Sequence, residues 1–142
     1  MEKPLPSLVG FSEKNHQWFA EGISLAKLAH DFSTPLYVYS KEAICSAYRA
    51  YDAACIRPNG TRRARIHYAM KANSNLAVLD ELKQLGAGFD LVSGGELARA
   101  LQIGADPKSL VFAGVGKSSA EIENALRAGV KCINVESISE LQ

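Results

Sequence analysis

Two hydrophobic periods alternate along this chain. Around residues 23–32 the apolar positions Ile23, Leu25, Ala26, Leu28 and Ala29 predict a short helix. Thr34-Pro35 ends it, because the residue before a proline is disfavoured in helix. Residues 36–39 (LYVY) form a run of side chains that fit a sheet and predict a strand. Ser40 then caps a helix over roughly residues 41–56, with Ala43, Ile44, Ala47, Tyr48, Tyr51 and Ala54 in one stripe. Arg57-Pro58-Asn59-Gly60 breaks that stripe. Residues 1–22 are mixed, and no regular element is expected there.

From residue 64 a rhythm sets in. Strands are predicted at 65–70, 89–92, 110–113 and 132–135, and helices at 76–85, 95–103 and 119–128, with a further helix starting at Ile138. Gly86, Gly104 and Gly129 sit where the helices should stop. Strand and helix alternating every ~20–25 residues means βα units and a parallel sheet. An open doubly wound sheet and a (β/α)8 barrel both fit that rhythm, and a barrel needs eight such units where about four are present. The fold class expected is α/β.

Composition adds limits. The 142 residues carry a formal net charge of +1, with 47% hydrophobic and 22% charged side chains, an ordinary globular balance. Sixteen basic against fifteen acidic residues leave no field for nucleic acid or an anionic membrane. The cluster Arg62, Arg63 and Arg65 reads as a solvated loop. No apolar run approaches the ~18 residues of a membrane span, and the first 22 residues do not resemble a secretory signal. Three cysteines, Cys45, Cys55 and Cys132, suit reduced thiols and a cytoplasmic location, and no Cys/His spacing suggests a metal.

Three segments hold candidate chemistry. Lys71 follows the 65–70 strand, at the C-terminal end where barrel active sites lie. Strand alternation puts His67, Ala69 and Lys71 on one face, with Ala69 leaving room beside the amine. A partly desolvated lysine there can attack a carbonyl carbon. A plain exit to solvent or an ion pair fits the same position, and His67 also suits interior packing. Asp90 lies in the second strand, where a buried acid needs a partner. Lys71 on the adjacent strand is the expected one, in a catalytic or a purely structural pair. Glu96 forms S-x-x-E with Ser93, a helix-capping pattern repeated at Ser118/Glu121 and Ser137/Glu140. The third segment, 112–118, is not a phosphate loop, because Val111 stands where the first glycine belongs. Gly86-Ala87-Gly88 precedes a strand rather than following one and is no dinucleotide fingerprint. His16 and His30 read as surface residues, Trp18 and Phe19 as packing anchors.

Taken together, Thr34-Pro35-Leu36-Tyr37-Val38-Tyr39, Tyr68-Ala69-Met70-Lys71-Ala72-Asn73, Gly88-Phe89-Asp90 and Ser93-Gly94-Gly95-Glu96-Leu97 resemble the diaminopimelate decarboxylases. So do residues 112–118 and Asn134-Val135-Glu136-Ser137, in order and spacing from about residue 10 onward. This is a branch of the fold-type III pyridoxal-phosphate decarboxylases, which also hold ornithine and arginine decarboxylases. The resemblance implies the N-terminal part of a (β/α)8 barrel over residues 41–142. Residues 1–40 would be an N-terminal segment whose strand joins a C-terminal β-domain absent from this chain. It implies pyridoxal 5′-phosphate as cofactor, held by Lys71 through a Schiff base, with Asp90 and Glu96 as acids near it and Ala69 and His67 lining it. The implied reaction converts meso-2,6-diaminopimelate to L-lysine and CO2 in a homodimer. The family's phosphate-gripping loop, pyridine-nitrogen acid and ring-stacking histidine come from later barrel strands, so residues 1–142 alone are expected to be inactive. Val115-Gly116 departs from relatives that carry Asn in this loop. Two other readings stay open: a related ornithine- or arginine-type decarboxylase, and a non-catalytic truncated barrel acting as an interaction module.

Overall fold

The computed structural model describes residues 8–141. They form two compact units, divided between Ala50 and Tyr51. The first holds a three-stranded antiparallel meander of β1 (Phe11–Lys14), β2 (Gln17–Ala20) and β3 (Ile23–Ser24), then α1 (Leu25–Phe32). The hairpin was not expected from the sequence. Its turn residues Asn15 and His16 both take positive φ, the geometry of a tight two-residue hairpin loop, and Asn tolerates it well. The expectation for residues 1–7 lies outside the described residues. Residues 36–39 have no ladder partner among the described residues, so the strand predicted there is unpaired; Tyr37 is 87% exposed.

Helix α2 (Lys41–Ala54) starts where expected, because Ser40 Oγ accepts from the Ala43 amide at 3.0 Å. Glu21 completes that helix start. Its Oε1 accepts from Ser40 Oγ at 2.6 Å and from the Glu42 amide at 2.7 Å.

The second unit is built on the rhythm that begins at residue 64. Four parallel strands, β4 (His67–Ala69), β5 (Gly88–Leu91), β6 (Leu110–Phe112) and β7 (Cys132–Ile133), lie in the order β4-β5-β6-β7. Between and after them come α3 (Leu76–Gln84), α4 (Gly94–Gln102), α5 (Ser119–Ala128) and the short α6 (Ile138–Leu141). Each strand adds to the same edge. A doubly wound sheet requires a reversal of strand order, and there is none here, so the barrel-type progression is the one present. With uniform crossover handedness, the helices then all fall on one side of the sheet.

Burial agrees with that layering. Phe89 pairs with Leu110 and Leu91 with Phe112, so these four point to one face, and all are fully buried. The helices bury Leu79, Leu82, Leu97, Ala100 and Ala125, which supply the matching layer. The opposite face carries the row Ala69–Asp90–Val111–Cys132, with His67 and Gly88 paired one step below. Gly88 is required there by close approach. A Cβ on it would stand 2.5 Å from His67 Cδ2 and 2.6 Å from the Ser109 carbonyl oxygen, which is backbone and cannot give way. Gly88→Ala is expected to destabilise the unit by about 1–3 kcal/mol, read as a lowered denaturant midpoint at unchanged slope.

Candidate active site

The site is assembled at the C-terminal end of the parallel sheet. Strand β4 ends at Ala69, one residue earlier than expected, and the chain turns into a single 3-10 turn, Met70–Ala72. Met70 is fully buried and anchors the turn, whereas Lys71 is exposed on it. Lys71 is therefore presented beyond the strand end, rather than as the next residue of an alternating strand. Tyr68 Oη donates to the Asn73 carbonyl at 3.2 Å, spanning the turn. Asn73 Oδ1 accepts from the Asn75 amide and Asn75 Oδ1 from the Ala77 amide, both at 2.9 Å, which starts α3 directly after the turn. Arg99 of α4 donates to the Ser74 carbonyl at 3.1 Å.

Asp90 stands half-buried on the open face of the sheet, paired in register with Ala69. The expected Lys71–Asp90 ion pair is not formed. Among the described residues neither group makes a hydrogen bond or ion pair. The register places Ala69, not Lys71, opposite Asp90, and the 3-10 turn takes Lys71 out of the ladder. What the fold provides is an amine and a carboxylate at one end of one sheet with no ion pair between them.

Glu96 behaves as the helix-capping reading anticipates, with a difference. Ser93 Oγ accepts from the Glu96 amide at 3.2 Å, but the Glu96 carboxylate reaches past Ser93 to the Val92 amide, 2.7 Å from Oε2. Glu140 repeats this reach, accepting from the Glu136 amide at 2.6 Å. Only Ser118/Glu121 makes the full reciprocal box. Glu96 thus has one oxygen committed to the backbone that follows β5, and it sits in the first turn of α4 beside that strand end.

His67 lies at the other end of β4, level with Gly88, roughly 7 Å along the strand from Ala69. Its Nε2 is buried without a hydrogen-bond partner. Burial is the main cause that holds the imidazole below its ordinary value of 6.5, joined by the positive charges of Lys131 and Arg65. A backbone hydrogen bond at Arg65 and the charge of Asp90 oppose them. A neutral ring packed over Gly88 is the interior residue the sequence allowed for.

Two further carboxylates shape this end of the sheet, and their tertiary partners were not anticipated. Glu121 Oε1 accepts from the Gly94 amide at 2.8 Å, while Oε2 accepts from the Ser118 amide at 3.0 Å and from Ser118 Oγ at 2.8 Å. Glu140 Oε1 meets Lys117 Nζ at 2.6 Å, where the two side chains are only 11% and 1% exposed. The S-x-x-E spacing signals the local cap in each case, but the long-range partner leaves no local pattern. The bonds from Gly94 and Ser118 lower the Glu121 pKa from 4.5 to about 2. Its ionised form is the one the fold favours, so its contribution to stability is complete above pH 4.5 and is lost as pH falls toward 2. The melting-temperature difference between wild type and Glu121→Gln is expected to shrink across that acid window and to stay constant above it.

Among the described residues there is no group of three or more His, Cys, Asp and Glu able to hold a metal ion, and no helix long and apolar enough to cross a membrane.

Comparison with known proteins places this arrangement. Residues 42–142 match the family model described as pyridoxal-dependent decarboxylase, pyridoxal binding domain. The chain is 50% identical over 133 residues to the diaminopimelate decarboxylase of Pseudomonas aeruginosa, covering 93% of this chain and 31% of that protein. It is 50% identical over 123 residues to that of Neisseria meningitidis serogroup B, covering 87% and 29%. The crystal structure of diaminopimelate decarboxylase from M. jannaschii in complex with L-lysine superposes with a TM-score of 0.85 at 40% identity, over 92% of this chain and 31% of that one. The chain therefore spans about a third of the length of the relatives it matches. On the family match, which takes in 101 of its 142 residues, the chain belongs to the pyridoxal-dependent decarboxylases, and residues 42–142 are of their pyridoxal-binding domain.

Proposed function

We propose that this chain is the lysine-bearing part of a diaminopimelate decarboxylase, which removes CO2 from meso-2,6-diaminopimelate to give L-lysine. The observation that carries the reading is the pair of groups at the C-terminal end of the sheet: the exposed Lys71 amine beyond β4 and the half-buried Asp90 carboxylate beside Ala69. The 50% identity to curated diaminopimelate decarboxylases supports this substrate.

The donor set fits pyridoxal phosphate at its aldehyde end. A cofactor aldehyde needs a reachable amine that no carboxylate already holds, and Lys71 is such an amine. It needs space beside that amine, and Ala69 supplies a small side chain at the strand end. Bound there, the cofactor would supply an electron sink for the decarboxylation. Lys71 would be the residue that holds it, through Nζ. Asp90 sets a negative charge on the open face, suited to orienting protonated nitrogen near the lysine. Glu96 keeps Oε2 on the Val92 amide, which fixes its carboxylate beside the end of β5. His67, neutral and at the far end of β4, lines the interior of the sheet face below Ala69.

The domain division follows. Residues 41–142 build the barrel portion, and residues 1–40 form a segment whose unpaired stretch 36–39 is a strand of a β-domain. Its lack of a ladder partner and the exposure of Tyr37 support that assignment. The test of the function is capture. Pyridoxal phosphate added to the protein and reduced with borohydride should yield one adduct, mapped by peptide mass spectrometry to Lys71. The complete enzyme should release CO2 from meso-diaminopimelate and not from ornithine. Adducts scattered over many lysines, or release from ornithine alone, overturn the reading.

A further inference from the structure

Glu121 ties together two loops that the candidate chemistry treats separately. It opens α5, yet its carboxylate accepts from the amide of Gly94, 27 residues earlier and the first residue of α4. The fit is close. A Cβ on Gly94 would stand 3.1 Å from Glu121 Cγ, so glycine at this place lets the glutamate stem approach. The segment 90–96 is then fastened at two points. Glu96 holds the Val92 amide at 2.7 Å from within, and Glu121 holds the Gly94 amide at 2.8 Å from the next βα unit. Both proposed acids, Asp90 and Glu96, hang on this segment. Ser118 anchors the other carboxylate oxygen, so Glu121 cannot swing away freely.

The geometry points to Glu121 as a positioning residue that fixes the acid-bearing segment 90–96 relative to Lys71 across the β5–α4 and β6–α5 connections. This rests on the reading of Lys71, Asp90 and Glu96 given above. Glu121 touches none of the reacting groups and acts through the Gly94 amide. A side chain that offers an oxygen to Gly94 preserves the function, whether or not it is charged.

The experiment compares wild type, Glu121→Ala, Glu121→Gln and, as a control, Glu123→Ala on the same helix, whose carboxylate instead pairs with Arg127. Two readouts are taken at temperatures where each variant is equally folded: amide hydrogen exchange over residues 92–96, and the rate of borohydride-trapped pyridoxal phosphate capture on Lys71 relative to Lys131 on the same chain. Glu121→Ala should speed exchange at Gly94 about tenfold and slow capture at Lys71 several-fold. Glu121→Gln should restore both toward wild type, and Glu123→Ala should leave both unchanged. Wild-type behaviour of Glu121→Ala in either readout overturns the inference. So does equal impairment by alanine and glutamine, which would make lost charge the cause. If wild-type Lys71 is not captured at all, the reading of the site falls, and exchange at 92–96 alone decides whether Glu121 holds the segment.

Discussion

Replacing Lys71 with alanine should abolish covalent capture of pyridoxal phosphate and reduce decarboxylation by the complete enzyme by at least about 10³-fold. The same change should barely move the melting temperature. Both halves come from one geometric fact. Lys71 is exposed on the 3-10 turn and makes no hydrogen bond or ion pair among the described residues, so the fold does not depend on its amine. The turn is held instead by buried Met70, the Tyr68–Asn73 bond and the Asn75 cap, none of which the substitution touches. Lys71→Arg sharpens the prediction. It keeps charge and length but offers a guanidinium that does not lose its proton, so it should fold normally and capture nothing. Capture persisting at another lysine of the Ala variant, with activity retained, would move the covalent role elsewhere.

The βα rhythm was readable because it is written in local spacing. The helix at 119–128 occurs as predicted, and Ser118 and Gly129 bracket it as cap and left-handed stop. Helix α3 ends one residue earlier than expected, and α4 both starts and ends one residue earlier. Other features were hidden for physical reasons. The β1–β2 hairpin has strands of only four residues, and β1 (FSEK) is polar and mostly exposed, so the pair does not stand out from a loop. Strand β4 reads as apolar through Met70, but Met70 is buried from a 3-10 turn rather than from a ladder, and apolar character alone does not separate the two. That one residue decides where Lys71 goes, and the register gives Asp90 to Ala69. The architecture left open between doubly wound and barrel-type sheets needed the strand order, a nonlocal fact. The roles of Glu121 toward Gly94 and Glu140 toward Lys117 are tertiary as well. From sequence each is a cap; only in the fold does the same carboxylate reach a second element.

Lys117→Ala is expected to lower the melting temperature on the order of 10 °C. Lys117 Nζ lies 2.6 Å from Glu140 Oε1, with its side chain 1% exposed, and it also donates to the Gly114 carbonyl at 2.5 Å. The amine thereby joins the loop after β6 to α6. Hydrogen bonds from the Glu136 amide and Lys117 hold the Glu140 carboxyl below its ordinary value, so it stays ionised at neutral pH. Truncating Lys117 leaves that charge shielded from water with no counterion, and the cost is that of an orphaned ion rather than of one lost contact. The paired replacement of Lys117 by Met and Glu140 by Leu separates the two. If the loss comes from the unpaired charge, the double variant should recover most of the stability, because similar volumes are filled and no ion is stranded. If the double variant is as unstable as Lys117→Ala, the bond to Gly114 is what matters. The clasp would then be a loop anchor in which Glu140 only accompanies the lysine. The two outcomes differ in thermal midpoint and can be read without any cofactor present, so they bear on the fold alone.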